Sequence, residues 1–176
     1  MAELIDSGQR RQFNSGAVRD IAEGKGRCDL LPLSAIITVF DSKDLIDYDE
    51  ASGILIHIDE FMKTGDVDQI STAIILFVED VLHKNLFDAT LDVSIHYEDG
   101  CRKYGERNWE KGIPIHCYVD SGIRHLLKFC RGDNDEPHDR AFIWNMLGII
   151  WTLNNFKDKN FDDSILDIPC FTSSTI

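Results

Sequence analysis

Two stretches of the chain concentrate side chains that bind phosphate. Residues 10–27 carry Arg10, Arg11, Arg19, Lys25 and Arg27 among glycines. Residues 102–131 carry Arg102, Lys103, Arg107, Lys111, Arg124, Lys128 and Arg131. Together they hold twelve of the 18 basic residues against five acids, in a chain whose net charge is −13. Guanidinium forks, ammonium point charges and Gly-rich backbone are what phosphate groups need. A cationic patch inside an acidic protein suits a small polyanion better than a polymer. The same residues also read as ordinary surface charge.

The acids offer a second chemistry. Glu98 continues the stripe Leu91, Ile95 at i, i+4, i+7, which aims a carboxylate at the core side of a helix, where it needs a partner. Asp120 precedes Arg124 by one turn, which is also an ordinary helix ion pair. Asp133, Asp135, Glu136 and Asp139 cluster ahead of the last predicted helix, where Asp133 or Asp135 also serves as a cap. Hard divalent cations such as magnesium take such oxygen ligands together with substrate phosphates. His138-Asp139 spells the dyad of the HD phosphohydrolases, with His125 as a further ligand. A buried, hydrogen-bonded histidine is the alternative. Asn145 stands inside the apolar run 141–153 and must find partners, on a base or on another helix. Tyr104 and Trp109 either stack on a base or pack in the core.

The elements that must position these groups read as helices. Pro32 opens one, with Leu33, Ile36, Ile37 and Phe40 following. Ile54, Leu55, Ile58, Phe61 and Met62 form a helical stripe, and Asp66 with Gln69 resembles a capping box opening a helix to about Lys84. Phe87, Leu91 and Ile95 mark a third helix. Val119, Ile123, Leu126, Leu127 and Cys130 mark a fourth. Residues 138–155 are apolar on nearly all sides, which predicts the central core helix. Residues up to about Asn14 read as loose, 14–32 as a structured loop, and the tail after Asn155 as partly extended or mobile. The sum is all-α, a compact bundle of five or six helices in a single domain.

Composition narrows the function. With 176 residues, 43% of them hydrophobic and ten Phe, the chain builds a core rather than staying disordered. The acidic balance excludes a broad face for duplex nucleic acid or anionic membrane. No apolar run reaches 18 residues, and the first residues lack the basic start and apolar run of a signal peptide. Five cysteines without CxxC spacing read as reduced thiols in a cytosolic protein.

Two stretches match a known pattern. One is Ser15-Gly16-Ala17-Val18-Arg19-Asp20 with Glu23-Gly24-Lys25-Gly26-Arg27-Cys28-Asp29-Leu30-Leu31-Pro32. The other runs from His96-Tyr97-Glu98-Asp99 through Lys103-Tyr104-Gly105, Arg107-Asn108-Trp109-Glu110-Lys111-Gly112 and Asp120-Ser121 to Trp144-Asn145. They resemble the dATP/dGTP diphosphohydrolase N-terminal domain family, common in phages and related to the MazG-like all-α nucleotide pyrophosphohydrolases. The match covers about 14–36 and 94–150, and residues of about 40–90 stand between as a helical insertion.

The resemblance implies magnesium- or manganese-dependent cleavage of a purine (deoxy)nucleoside triphosphate to the monophosphate and pyrophosphate. It also implies a homo-oligomer, acting in the cytosol of an infected bacterium where phage-encoded. The sequence departs from the MazG acidic pattern: Glu98-Asp99 is followed by Arg102-Lys103, and Asp120 has no acid three residues before it. The expected roles are then as follows. Glu98 and Asp120 are catalytic and, with Asp135, Glu136 or Asp139, hold the metal. Lys103, Arg107, Lys111 and Arg124 clamp phosphates. Arg19, Lys25 and Arg27 close on the triphosphate or base. Tyr104, Asn108, Trp109, His125 and Asn145 complete the nucleotide pocket. A protein that binds a nucleotide without cleaving it is the alternative.

Overall fold

The computed structural model describes residues 9–21, 27–36 and 46–172, the last with side chains from 51 onward. Five α-helices of ten or more residues dominate them: α1 (Ile46–Thr64), α2 (Val67–Leu76), α3 (Leu86–Tyr104), α4 (Ile115–Arg131) and α5 (His138–Asn155). The fold is all-α, apart from one small hairpin. Residues 33–36 are helical as Pro32 foretells. Ile37, Phe40 and Lys25 fall outside the described residues.

The stripe of α1 buries Ile54, Leu55, Ile58 and Phe61 completely. Asp66 caps α2 by accepting the Asp68 N–H at 3.1 Å. The expected capping box is only half formed. Gln69 turns its oxygen to His57 Nδ1 at 2.8 Å, and the Asp66 N–H goes to Thr64 Oγ1 instead. After Leu76 the chain widens into a π turn over Phe77–Val81, which buries Phe77 against Phe129 and Phe142. Helices α1 and α2, placed in the expected insertion, share one hydrophobic core with α3, α4 and α5.

The central pair is α4 with α5. Gly122 on α4 meets Met146, and Gly148 on α5 meets the Tyr118 ring, so closely that a β-carbon at either position would overlap its neighbour. Small residues at the crossing bring the two helices close together. Helix α5 buries Ala141, Phe142, Met146 and Ile149, as its all-round apolar pattern requires.

Three expectations are corrected. The stripe Phe87, Leu91, Ile95 and Glu98 does not face the core: Phe87 is 84% exposed and Leu91 69%. Helix α3 instead turns Ala89, Val93 and His96 to the bundle, the face on which His96 meets Trp144 of α5. Secondly, the chain before Asn14 is not all loose. Strand β1 (Arg10–Gln12) pairs antiparallel with β2 (Val18–Asp20), closed by a turn with Gly16 at φ 84°. Thirdly, the tail is ordered over 156–172. Phe161 and Ile165 pack on Gly112, Phe171 packs on Gly65, and Asp167 accepts the His116 backbone N–H at 2.9 Å. Its end carries a short helix, α6 (Pro169–Thr172).

Candidate functional site

The hairpin, the C-terminal half of α3, the loop after it, α4 and α5 enclose a pocket of about 460 Å³. That is ample for a small-molecule ligand. Of the expected nucleotide-contacting residues, Arg19, Lys103, Tyr104, Arg107, Asn108, Trp109, Arg124, His125 and Asn145 line it. Asp120 and Glu136 line it too. Residues far apart in sequence are thus brought together.

Arg19, on β2, is the centre of the arrangement. Its Nη2 donates to Ser121 Oγ at 3.0 Å and to Asn145 Oδ1 at 3.1 Å. Its guanidinium lies over the Tyr118 and Trp144 rings, 5.5 and 5.7 Å from their centroids. Its Nη1 is buried and meets no acceptor among the described residues. Arg11, from β1, is similar: Nη2 donates to Cys117 Sγ at 3.3 Å, while Nε is buried without an acceptor among those residues. Guanidinium N–H groups out of water and short of acceptors call for an anionic ligand.

The other cations of the wall have protein partners. Lys103 is buried and donates to Asp20 at 2.8 Å. Arg124 pairs with Asp120 along α4. Lys128 reaches Asp135 at 2.9 Å, and the exposed Arg107 pairs with Glu110. These pairs fix the side chains at the rim and lower the net positive charge of the wall.

Several expected contacts turn out to build the pocket rather than reach into it. Asn108 accepts the Val18 N–H at 3.0 Å and donates to the Val18 carbonyl at 2.8 Å, so its amide is spent on holding β2. Asn145 donates to the Ala141 carbonyl at 2.8 Å and accepts from Arg19, so it aims the guanidinium. Trp109 packs edge-on against Tyr97 and Trp151. Tyr104 sits under Arg10 and Lys103, 5.3 Å from each, and burial beside Asp20 pushes its phenol well above the ordinary range.

The expected acids do not assemble. Glu98 is exposed, pairs with Arg102 and lies away from the pocket. Asp120 is buried with both oxygens engaged: Oδ1 accepts the Cys28 N–H at 2.6 Å and Oδ2 accepts from Arg124. Asp139 and Asp135 are not on the wall. Among the basic residues, Arg27 turns to Asp29, and Lys111 lines a separate shallow depression with Lys159.

Groups absent from the expected set also line the pocket. Arg11, Lys128, Tyr97, His96 and Trp144 join the wall. Burial, aided by Arg140, lowers His96 to about 4, so its imidazole is neutral. The basic clusters contained Arg11 and Lys128, but charge alone could not separate them from their neighbours.

Two histidines pair at one side, His125 on the pocket wall and His138, which is not on it. His125 Nδ1 is 2.9 Å from His138 Nδ1, and His138 Nε2 is 2.7 Å from Asp135 Oδ1. The carboxylate that His138 meets is therefore Asp135, not Asp139. One ligand atom from each of His125, Glu136 and His138 falls within 4.8 Å of the others. Burial and the neighbouring His138 hold His125 well below its ordinary range.

Residues 80–164 match the family model described as dATP/dGTP diphosphohydrolase, N-terminal, the family the motifs resemble. The matched segment spans α3, α4 and α5, hence most of the pocket wall. No curated protein and no solved structure matches the chain.

Proposed function

We propose that the pocket binds a purine (deoxy)nucleoside triphosphate and that the chain hydrolyses it to the monophosphate and pyrophosphate. The observation that carries the reading is Arg19. It is fixed by Ser121 and Asn145, with a buried N–H directed to no protein acceptor among the described residues. The family description supplies the nucleotide and the diphosphohydrolase reaction.

In this reading Arg11 and Arg19 bind phosphate oxygens, with Arg124, Lys128, Lys103 and Arg107 at the rim. The aromatic wall of Tyr97 and Trp144 receives the base. Water attacks the α-phosphorus, and the bond to the α–β bridging oxygen breaks. Preorganised guanidinium groups stabilise the charge developing on the transferred group and on the departing pyrophosphate. The family implies a divalent ion. Glu98, Asp120, Asp135, Glu136 and Asp139 do not fit it as a set, because only Asp120 and Glu136 reach the pocket and Asp120 is already engaged.

That same disagreement favours a second reading, in which the chain binds a nucleotide, such as a host-defence signal, and withholds it without cleavage. Incubation with ribo- and deoxynucleoside triphosphates, with magnesium, manganese or chelator, separates the two by chromatography of products. Monophosphate plus pyrophosphate from dGTP or dATP supports hydrolysis. A nucleotide recovered intact with the protein supports sequestration.

The reading includes self-association. Phe87, Leu91 and Ile95 expose one apolar face of α3, which a second copy would cover. None of the described helices is long and apolar enough to cross a membrane. A cytosolic place of action accords with the nucleotide substrate and the five free thiols.

A further inference from the structure

We propose that His125, His138 and Glu136 form a site for one first-row transition-metal dication, with open coordination positions facing the phosphate pocket. The tautomer of His138 makes the case. Its ring is buried, and its Nε2 lies 2.7 Å from Asp135 Oδ1. A carboxylate only accepts, so the Nε2–H donates to it, and Nδ1 is the nitrogen left to face His125. That Nδ1 lies 2.9 Å from His125 Nδ1, which in turn lies 3.9 Å from Glu136 Oε2.

A carboxylate behind a histidine is the arrangement that orients imidazoles toward metals. Asp135 is itself held by Lys128 at 2.9 Å. Ligand atoms with metal bonds of about 2.0–2.2 Å stand roughly 3 Å apart in adjacent positions; the two Nδ1 atoms already do, and Glu136 Oε2, at 3.9 Å, would draw in on binding. Without an ion, one proton lies between the two Nδ1 atoms, 2.9 Å apart. Binding displaces that proton to solvent and His125 Nε2 takes one up, so that each Nδ1 offers its lone pair to the ion and each ring carries its N–H on Nε2.

Two imidazoles and one carboxylate favour Mn²⁺, Fe²⁺, Co²⁺, Ni²⁺ or Zn²⁺ over Mg²⁺, which prefers oxygen ligands. His125 and Glu136 line the pocket beside Arg124 and Lys128. A phosphate oxygen or a water would complete the coordination there. The inference deepens the nucleotide reading and rests on it only for what fills the open positions.

The test uses the full chain with Mn²⁺ alone, followed by electron paramagnetic resonance with pulsed detection of ¹⁴N coupling. One Mn²⁺ per chain is expected, coupled to nitrogen and not displaced by tenfold excess Mg²⁺. His125→Gln and Glu136→Gln, at partly exposed positions, should each weaken binding at least tenfold while circular dichroism shows an intact fold. Absence of submillimolar binding overturns the site, as does bound Mn²⁺ without nitrogen coupling or unchanged affinity in both variants. Nucleotide affinity is measured separately, in chelator. Nitrogen-coupled Mn²⁺ with no nucleotide affinity would overturn the pocket reading and leave this site standing.

Discussion

Arg19 and Asn145 stand 126 positions apart in sequence and share one hydrogen bond of 3.1 Å. The other end of the Asn145 amide donates to the Ala141 carbonyl within its own helix, so the amide cannot turn away. A neutral acceptor thereby fixes the direction of a cation without cancelling its charge.

Asn145→Asp tests that distinction. The new carboxylate would keep an acceptor on Arg19 and neutralise its charge, at the loss of the N–H that meets the Ala141 carbonyl. Hydrogen bonds to charged groups contribute about 1.5–3 kcal/mol, or roughly 10- to 100-fold in affinity. Nucleotide affinity measured by calorimetry should fall by that order, with circular dichroism confirming that the helices are intact. Unchanged affinity would remove Arg19 from the binding account.

His116 ties the tail to α4. Its bond to Asp167, with Cys117 alongside, raises it from 6.5 to about 10. A raised folded value means stability that is fully present below pH 6.5 and is lost as pH climbs through about 10. The unfolding midpoint of Asp167→Asn should lie below that of the parent chain at pH 6.5, and the gap should close by pH 10.5. A gap independent of pH would refute the charged pair.

His96 acts in the opposite direction. Burial first, then Arg140, depresses it to about 4. Between pH 6.5 and 4 the unfolded chain takes up a proton that the folded chain refuses, so stability falls as pH falls. Urea midpoints of His96→Gln against the parent, at pH 7 and 4.5, should show a shallower acid loss in the variant. Equal losses would mean that His96 does not drive the acid limb.

Were a second copy to cover the open face of α3, as proposed, a charge placed there would prevent the association. Leu91 is 69% exposed, so Leu91→Glu leaves the core of the protomer intact. Light scattering after size exclusion is expected to show a smaller species for the variant at equal concentration, with unchanged circular dichroism. Identical masses would place the self-association elsewhere or remove it.

Helix positions were the most legible part of the sequence. The bounds 138–155 expected for the last helix are those of α5, because an all-round apolar run with His138 at its start admits little else. Which face of α3 points inward was not legible. Leu91 and Ile95 carry more apolar surface than Ala89 and His96, yet the bundle took the face on which His96 meets Trp144. Much of the cationic wall was legible, since Arg19, Lys103 and Arg124 came with a specific motif and converge in one pocket. The roles of Asn108 and Asn145 were not, because an amide reads alike whether it meets a base or a backbone. The short strands escaped for a similar reason. Three residues on each side form too few local contacts to show a period, and Asn108 holds them from 90 positions away.

The hairpin supplies Arg11 and Arg19, yet of its residues and the turn between them only Ala17 is buried. It adds Ala17 and the partly buried Phe13 to the apolar interior and is otherwise held by polar links to distant parts of the chain. Closing such long loops is entropically unfavourable, and those links offset it. Breaking them would release both cations while leaving the apolar core of the bundle in place. Melting of the helices and competence of the site are therefore separable measurements.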